Sequence, residues 1–274
     1  MSFRAIRSRI GELLHRLGLL GLADRILYGL DLLVATPSNV MFRRAHPGFA
    51  APPARIAFET LGHVSSSEFE TSGRRHARLI MDTVRELHPA PVQAVLEWGC
   101  GCGRVIRQLR PEGLASEVRL IGVDVDAAAI AWCRSNLPGI EFHTCGALPP
   151  LPIGDRALDV IYHYSVWTHL SAANVAAWVE DMARAMRDDG IMIGTTHGER
   201  YADMLSVSEA SAFHSGQVIE RRGAAEGRKR FLAFHPAEFV REMLLRHFRH
   251  VRLSARADDP TLPQDMWAAW GPRR

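Results

Sequence analysis

The sequence predicts an α/β fold: a doubly wound, mostly parallel seven-stranded sheet with an antiparallel last strand, preceded by an N-terminal helical extension. Three observations carry this expectation. Short apolar runs alternate with helical stretches from residue 94 onward, which is the pattern of βαβ units. The first of these runs ends in a glycine-rich turn, as the first strand of a mononucleotide-binding unit does. The last two runs follow one another without a helical stretch between them, so they read as an antiparallel pair. The 274 residues, 47% apolar and 23% charged, are enough to build and bury such a domain.

Taken in order, residues 3–33 place Phe3, Ile6, Ile10, Leu13, Leu14, Leu17 and Leu20 at helical spacing, with Arg4, Arg7, Arg9 and Arg16 between them. The longest uncharged stretches there, 17–23 and the Pro37-interrupted 32–42, are too short to cross a bilayer, so a cytoplasmic location is expected. A basic amphipathic helix of this kind either packs on the domain or on a second copy, or lies peripherally on an anionic membrane surface. The breaker cluster 46–53 (His-Pro-Gly-Phe-Ala-Ala-Pro-Pro) ends this segment. Residues 1–66 therefore read as a helical leader and linker, and 67–274 as the main domain.

Residues 67–87 carry a helical pattern through Phe69, Ala77, Ile80, Met81, Val84 and Leu87, before Pro89-Ala90-Pro91 resets the chain. Strands are expected at 94–98, 118–123, 140–143, 158–163 and 191–195, the last led in by Asp189-Gly190. Helices are expected from Gly103 to Leu109, over 127–136, over 172–186 and over 236–246. Segment 198–235 is looser and polar, and 251–255 with 266–270 form the closing pair. Asp126 stands where a helix N-cap is needed before Ala127.

Composition narrows the partners. A net charge of +3 from 33 basic and 30 acidic residues gives no general field for a polyanion, so no nucleic-acid partner is expected. Cys100, Cys102, Cys133 and Cys145 fit neither a disulfide framework nor a zinc spacing, and read as small buried thiols with no metal.

The chemistry concentrates at residues 95–104, Val-Leu-Glu-Trp-Gly-Cys-Gly-Cys-Gly-Arg. A dinucleotide fingerprint would require a third glycine at position 104, which is Arg104, and the phosphate-binding Gly-Lys-Ser/Thr is absent. Acidic residues end both of the first two strands, Glu97 and Asp124. That pairing disfavours phosphates and suits an uncharged nucleoside with a cation nearby.

These residues resemble motif I of the class I S-adenosylmethionine-dependent methyltransferases, the E/D-x-G-x-G-x-G loop. The similarity continues through 122–126 (Gly-Val-Asp-Val-Asp), 148–152 (Leu-Pro-Pro-Leu-Pro) and 159–170, whose Ser-Val-Trp-Thr-His-Leu matches the fourth-strand signature. Residues 186–193 match the turn into the fifth strand, with Asp188 and Asp189 in place of Pro and Gly. The resemblance implies S-adenosylmethionine (SAM) as cofactor. Gly99, Gly101 and Gly103 would pass beneath it, Glu97 would lie near its methionyl amine and Asp124 would accept its ribose hydroxyls. Cys145-Gly146-Ala147 stands where the family offers a polar side chain to adenine, so backbone groups at Gly146 and Ala147 would serve instead. Arg104 reads as a solvated first-turn residue.

Methyl transfer from a sulfonium is an in-line displacement in which the protein aligns the acceptor and excludes water; a hydroxyl acceptor also needs a base. The candidate bases lie where the fourth and fifth strands end: His163, His169 and His197. His163 and Tyr164, directly after the strand, are expected to face the methyl group, and His197 is the leading base. Segment 198–235 is expected to cover the acceptor side, its Arg221, Arg222, Arg228, Lys229 and Arg230 being either a solvated loop or a site for an anionic acceptor. The function expected is O-methylation of a small molecule or glycan. N- or C-methylation of a metabolite, and a non-catalytic SAM-binding module recruited to a membrane or partner, stand beside it.

Overall fold

A computed structural model of the chain describes residues 20–88, 90–228, 230–254 and 264–274. The expectations for residues 3–19, Lys229 and Ala255 fall outside them. Helix α1 (Leu20–Ala45) runs through Pro37, which stands on its exposed side, where water can reach the carbonyl that proline frees. Two short connections lead to α2 (Ala54–Leu61) and α3 (Ser66–Leu87). Asp31 and Asn39 of α1 clamp the second connection: Asp31 accepts from the Val64 amide, and Asn39 donates to the Val64 carbonyl while accepting from the Ser66 amide.

The sheet follows in βαβ order. Its strands are β1 (Ala94–Trp98), β2 (Arg119–Asp124), β3 (Glu141–Thr144), β4 (Leu158–Tyr162), β5 (Met186–Thr196), β8 (Phe248–Ser254) and β9 (Asp265–Pro272). Their order across the sheet is β3-β2-β1-β4-β5-β9-β8. The first five are parallel, and β9 inserts antiparallel between β5 and β8. This is the doubly wound, seven-stranded arrangement that the sequence pattern predicts.

β1 and β4 are buried at all five of their positions, as strands covered on both faces must be. Alternate residues feed two cores. On one face Val95, Leu120, Val160 and Ile191 meet Phe69, Ile80 and Val84 of α3. On the other, Leu96, Ile121, Ile161 and Met192 meet α5 (Ala172–Ala185) and α7 (Ala237–Leu245). Asp126 caps α4 (Ala127–Asn136) by accepting from the Ala128 and Ala129 amides.

Three local expectations change. No α-helix opens at Gly103; a single tight turn forms over Ile106–Gln108, because Gly99, Gly101 and Gly103 all take left-handed backbone angles that a helix cannot continue. Asp189-Gly190 is not a turn before the fifth strand but part of it, since β5 already starts at Met186. The described residues of segment 198–235 also form regular elements. It holds a turn at Glu199–Met204, α6 (Val207–His214) and a separate hairpin of β6 (Ile219–Arg222) with β7 (Phe231–Phe234). A Ser206–Glu209 capping box starts α6, and Arg221 binds the same Glu209 at 2.7 Å, tying helix to hairpin.

Candidate functional site

The carboxyl ends of β1, β2 and β4 open onto one cavity of about 340 Å³. This is where ligands sit in an open α/β sheet. Its floor is the glycine loop. Gly99, Gly101 and Gly103 have φ of +69°, +53° and +70°, angles that residues with a Cβ rarely adopt. A Cβ at Gly99 would meet Val166 at 2.4 Å, and one at Gly101 would meet Thr60 at 2.7 Å. Gly99 and Gly101 line the cavity; Gly103 does not, and instead turns against Leu137.

Two carboxylates hold this loop in shape. Asp124, at the end of β2, accepts from the Gly101 amide at 2.7 Å through Oδ2 and from the Asp126 amide at 2.8 Å through Oδ1. Burial raises its pKa against the pull of those amides. Glu97, at the end of β1, is 3% exposed and accepts from the Ile106 amide at 2.9 Å and the Tyr162 hydroxyl at 3.0 Å, both through Oε2. Burial pushes its carboxyl up to about 8, only partly offset by the Arg104 charge and the two hydrogen bonds. A buried acid whose charge is this poorly compensated, facing a cavity, is suited to a cationic group of a ligand.

Arg104 is not a solvated first-turn residue. It is buried against the cavity, donates to His76 Nδ1 at 2.8 Å and to Ser72 Oγ at 3.3 Å, and lies 5.3 Å from the Tyr164 ring centre. His76 in turn stacks on Tyr164 with ring centres 3.9 Å apart. Burial and the two neighbouring arginines hold His76 neutral, its pKa near 2, and burial lifts the Tyr164 phenol to about 12. Tyr164 thus presents a fixed, uncharged aromatic wall to the cavity. The backbone beside it is strained: Ser165 has φ +63° and is held by Thr195 Oγ1 on its amide and by Gln264 on its hydroxyl.

The three histidines separate. His163 is fully buried between Trp98, Trp167 and Trp267, away from the cavity, with neither ring nitrogen hydrogen-bonded among the described residues. Burial drives its pKa to about 3. His163 therefore does not face a ligand, because it shares the sheet face of Ile161, which packs into the tryptophan-lined core. His197 stacks on Tyr201 and lies beside Phe234, behind the cavity wall rather than in it. His169 does line the cavity. Its Nδ1 meets the Phe231 carbonyl at 2.8 Å, so Nδ1 carries the proton and Nε2 keeps the lone pair. Burial lowers its pKa, which keeps the ring neutral.

At the far end Cys145, Gly146 and Ala147 line the wall, and the Trp178 indole donates to the Ala147 carbonyl at 3.2 Å. Glu59, Thr60 and Leu61 of α2 close the opposite side, and Gly227 and Arg228 reach in from the 223–230 loop. The basic residues between 221 and 230 are mostly spoken for: Arg221 pairs with Glu209, Arg222 with Glu220 and Arg230 with Asp24. Arg228 is the one cation of the run that lines the cavity among the described residues.

His214 pairs with Glu199 at the surface, and His235 lies in the core. Among the described residues one trio, His88, Asp159 and Asp189, brings possible metal-ligating atoms within 4.8 Å, at the opposite edge of the sheet. Asp159 there is already engaged by Arg187 and by the Gln93 and Ala94 amides.

Comparison with known proteins finds relatives for the region that carries the glycine loop. Residues 95–190 match the family model described as a methyltransferase domain. A "Probable S-adenosylmethionine-dependent methyltransferase" of Mycolicibacterium smegmatis is 32% identical over 114 residues, which is 41% of this chain and 41% of the relative. The chain thus spans less than half the length of that curated relative. Among solved structures, the CMeT domain of the citrinin polyketide synthase is similar in fold, with a TM-score of 0.55 and 17% identity over 82% of this chain and 59% of that one. SAM-bound CalS10, an amino pentose methyltransferase from Micromonospora echinaspora, has a TM-score of 0.50 and 14% identity over 81% of this chain and 98% of its own.

Proposed function

We propose that this chain is a class I S-adenosylmethionine-dependent methyltransferase that methylates a hydroxyl of a small-molecule or glycan acceptor. The observation that carries the proposal is a neutral histidine, His169, in the same cavity as the glycine loop and the buried Glu97. When bound, SAM supplies a methyl group on a positively charged sulfur, already activated for displacement.

The residues divide the remaining work. Glu97 offers a negative charge to the methionyl amine, and the cost of its burial falls when that cation is in place. Asp124 offers the ribose its remaining lone pairs while holding the loop through the Gly101 amide. Gly146 and Ala147, which line the cavity, would offer backbone groups to the adenine. Tyr164, locked by His76 and Arg104, fills the wall and excludes water. His169 accepts the acceptor's proton at Nε2 as its oxygen attacks, with Nδ1–H held on the Phe231 carbonyl. Arg228, at the cavity wall, favours an acceptor that carries negative charge.

Incubation of the purified protein with methyl-labelled SAM and fractionated small-molecule extracts tests this reading. Base-stable label on a hydroxyl-bearing compound is the expected result. Label found only on nitrogen or carbon would overturn the O-methylation, and tight SAM binding with no labelled fraction would overturn the transferase reading.

A further inference from the structure

Helix α1 is anchored on one side and bare on the other. Its inner side packs Tyr28 on Phe58 and buries Ala35 with Val64, while Asp31 and Asn39 bind the 64–66 connection. The outer side carries Leu22, Ile26, Leu30, Leu33, Val34 and Met41, all between 53% and 79% exposed. Their spacing keeps them on one stripe of the helix, over about five turns. Most of the large apolar side chains exposed among the described residues sit on this one helix. Single exposed apolar residues are ordinary, but a continuous stripe is not.

The charges on the helix say what covers that stripe. Its exposed charged residues are Arg25, Arg43 and Arg44, all cationic. Its two acids are turned inward, Asp31 onto the Val64 amide and Asp24 toward Arg230. The sequence ahead of it adds Arg4, Arg7, Arg9 and Arg16 against the single acid Glu12. A second copy of the helix is a poor match. Antiparallel pairing about Val34 would set Arg25 against Arg43 of the copy, and parallel pairing would set each arginine against itself. No helix among the described residues is long and apolar enough to cross a membrane. We infer that the outer face of α1 seats the protein on the surface of an anionic lipid bilayer, its apolar stripe in the acyl boundary and its arginines among the headgroups.

The seat lies next to a segment that reaches the cavity. Asp24, in the first turns of α1, pairs at 3.8 Å with Arg230 of the loop whose Arg228 lines the cavity wall. The inference stands on the helix alone and does not depend on which atom is methylated.

Flotation of the full chain with vesicles tests it, using phosphatidylcholine alone and phosphatidylcholine with phosphatidylglycerol. Binding is expected to the anionic vesicles and to weaken by about fivefold for each of Arg25→Glu and Arg43→Glu. A Leu30→Glu/Leu33→Glu double variant is expected to lose binding by more than about tenfold. Both positions are exposed, so unchanged circular dichroism and SAM affinity show that the variant is folded. Equal binding to neutral vesicles, no binding to either, or a dimer by sedimentation that the double variant dissolves would each overturn the inference. The last outcome would make the face a contact between copies.

Discussion

Removing the charge of Glu97 should uncouple SAM binding from protons. With the carboxyl pushed to about 8 by burial, roughly 0.9 of a proton is bound to it at pH 7 before the ligand arrives. A bound ammonium requires the carboxylate, so binding releases that proton. Affinity should therefore rise about tenfold from pH 6 to pH 7, and level off near pH 8, where the ligand's own amine begins to lose its charge. Calorimetry in buffers of differing ionisation enthalpy reads the released proton directly. Glu97→Gln should release none and bind about ten- to a hundredfold more weakly, the worth of a charge-assisted hydrogen bond.

The same shift fixes the sign for stability. A carboxyl whose folded pKa lies above its unfolded 4.5 binds more protons when folded, so the ligand-free protein loses stability as pH rises from about 4.5 to 8. Glu97→Gln should flatten that slope in thermal melts. A wild type that releases no proton, with a Gln variant of equal affinity, would refute the reasoning.

Three further outcomes follow from particular contacts. Asp124→Ala leaves the Gly101 and Asp126 amides without their acceptor, so it should destabilise the fold by about 1–3 kcal/mol and weaken SAM binding well beyond tenfold; calorimetry and melting check both. His169→Ala should lower turnover by about a hundredfold or more with little change in SAM affinity. Because burial lowers the His169 pKa, the wild-type rate should hold its plateau to below pH 6.5 on the acid side, a limb the variant lacks. His163→Leu removes two buried nitrogens that lack partners among the described residues, so turnover should persist and the melting temperature should rise.

The legible part of the molecule was the part written locally. Strand periodicity, the glycine loop and the acids at two strand ends sit within a few residues of what they position, and the structure has them on one cavity. Segment ends were less legible: three left-handed glycines override the helical spacing after Gly103, and a capping box orders a stretch whose composition is polar. What sequence could not show was made by distant pieces. Arg104 meets His76 from 28 residues away, and the bond between His169 and the Phe231 carbonyl spans 62. Strand parity did hold the answer for His163, which alternates with Ile161 onto the core face. It also set apart Tyr164, the next residue, as the one that lines the cavity.

The most direct measurement is a crystal structure of the protein with SAM bound. It should place the methionyl amine on Glu97, the ribose on Asp124 and the methyl group toward Nε2 of His169. A cofactor lying elsewhere, or one whose methyl group points away from His169 with another base beside it, would contradict the account.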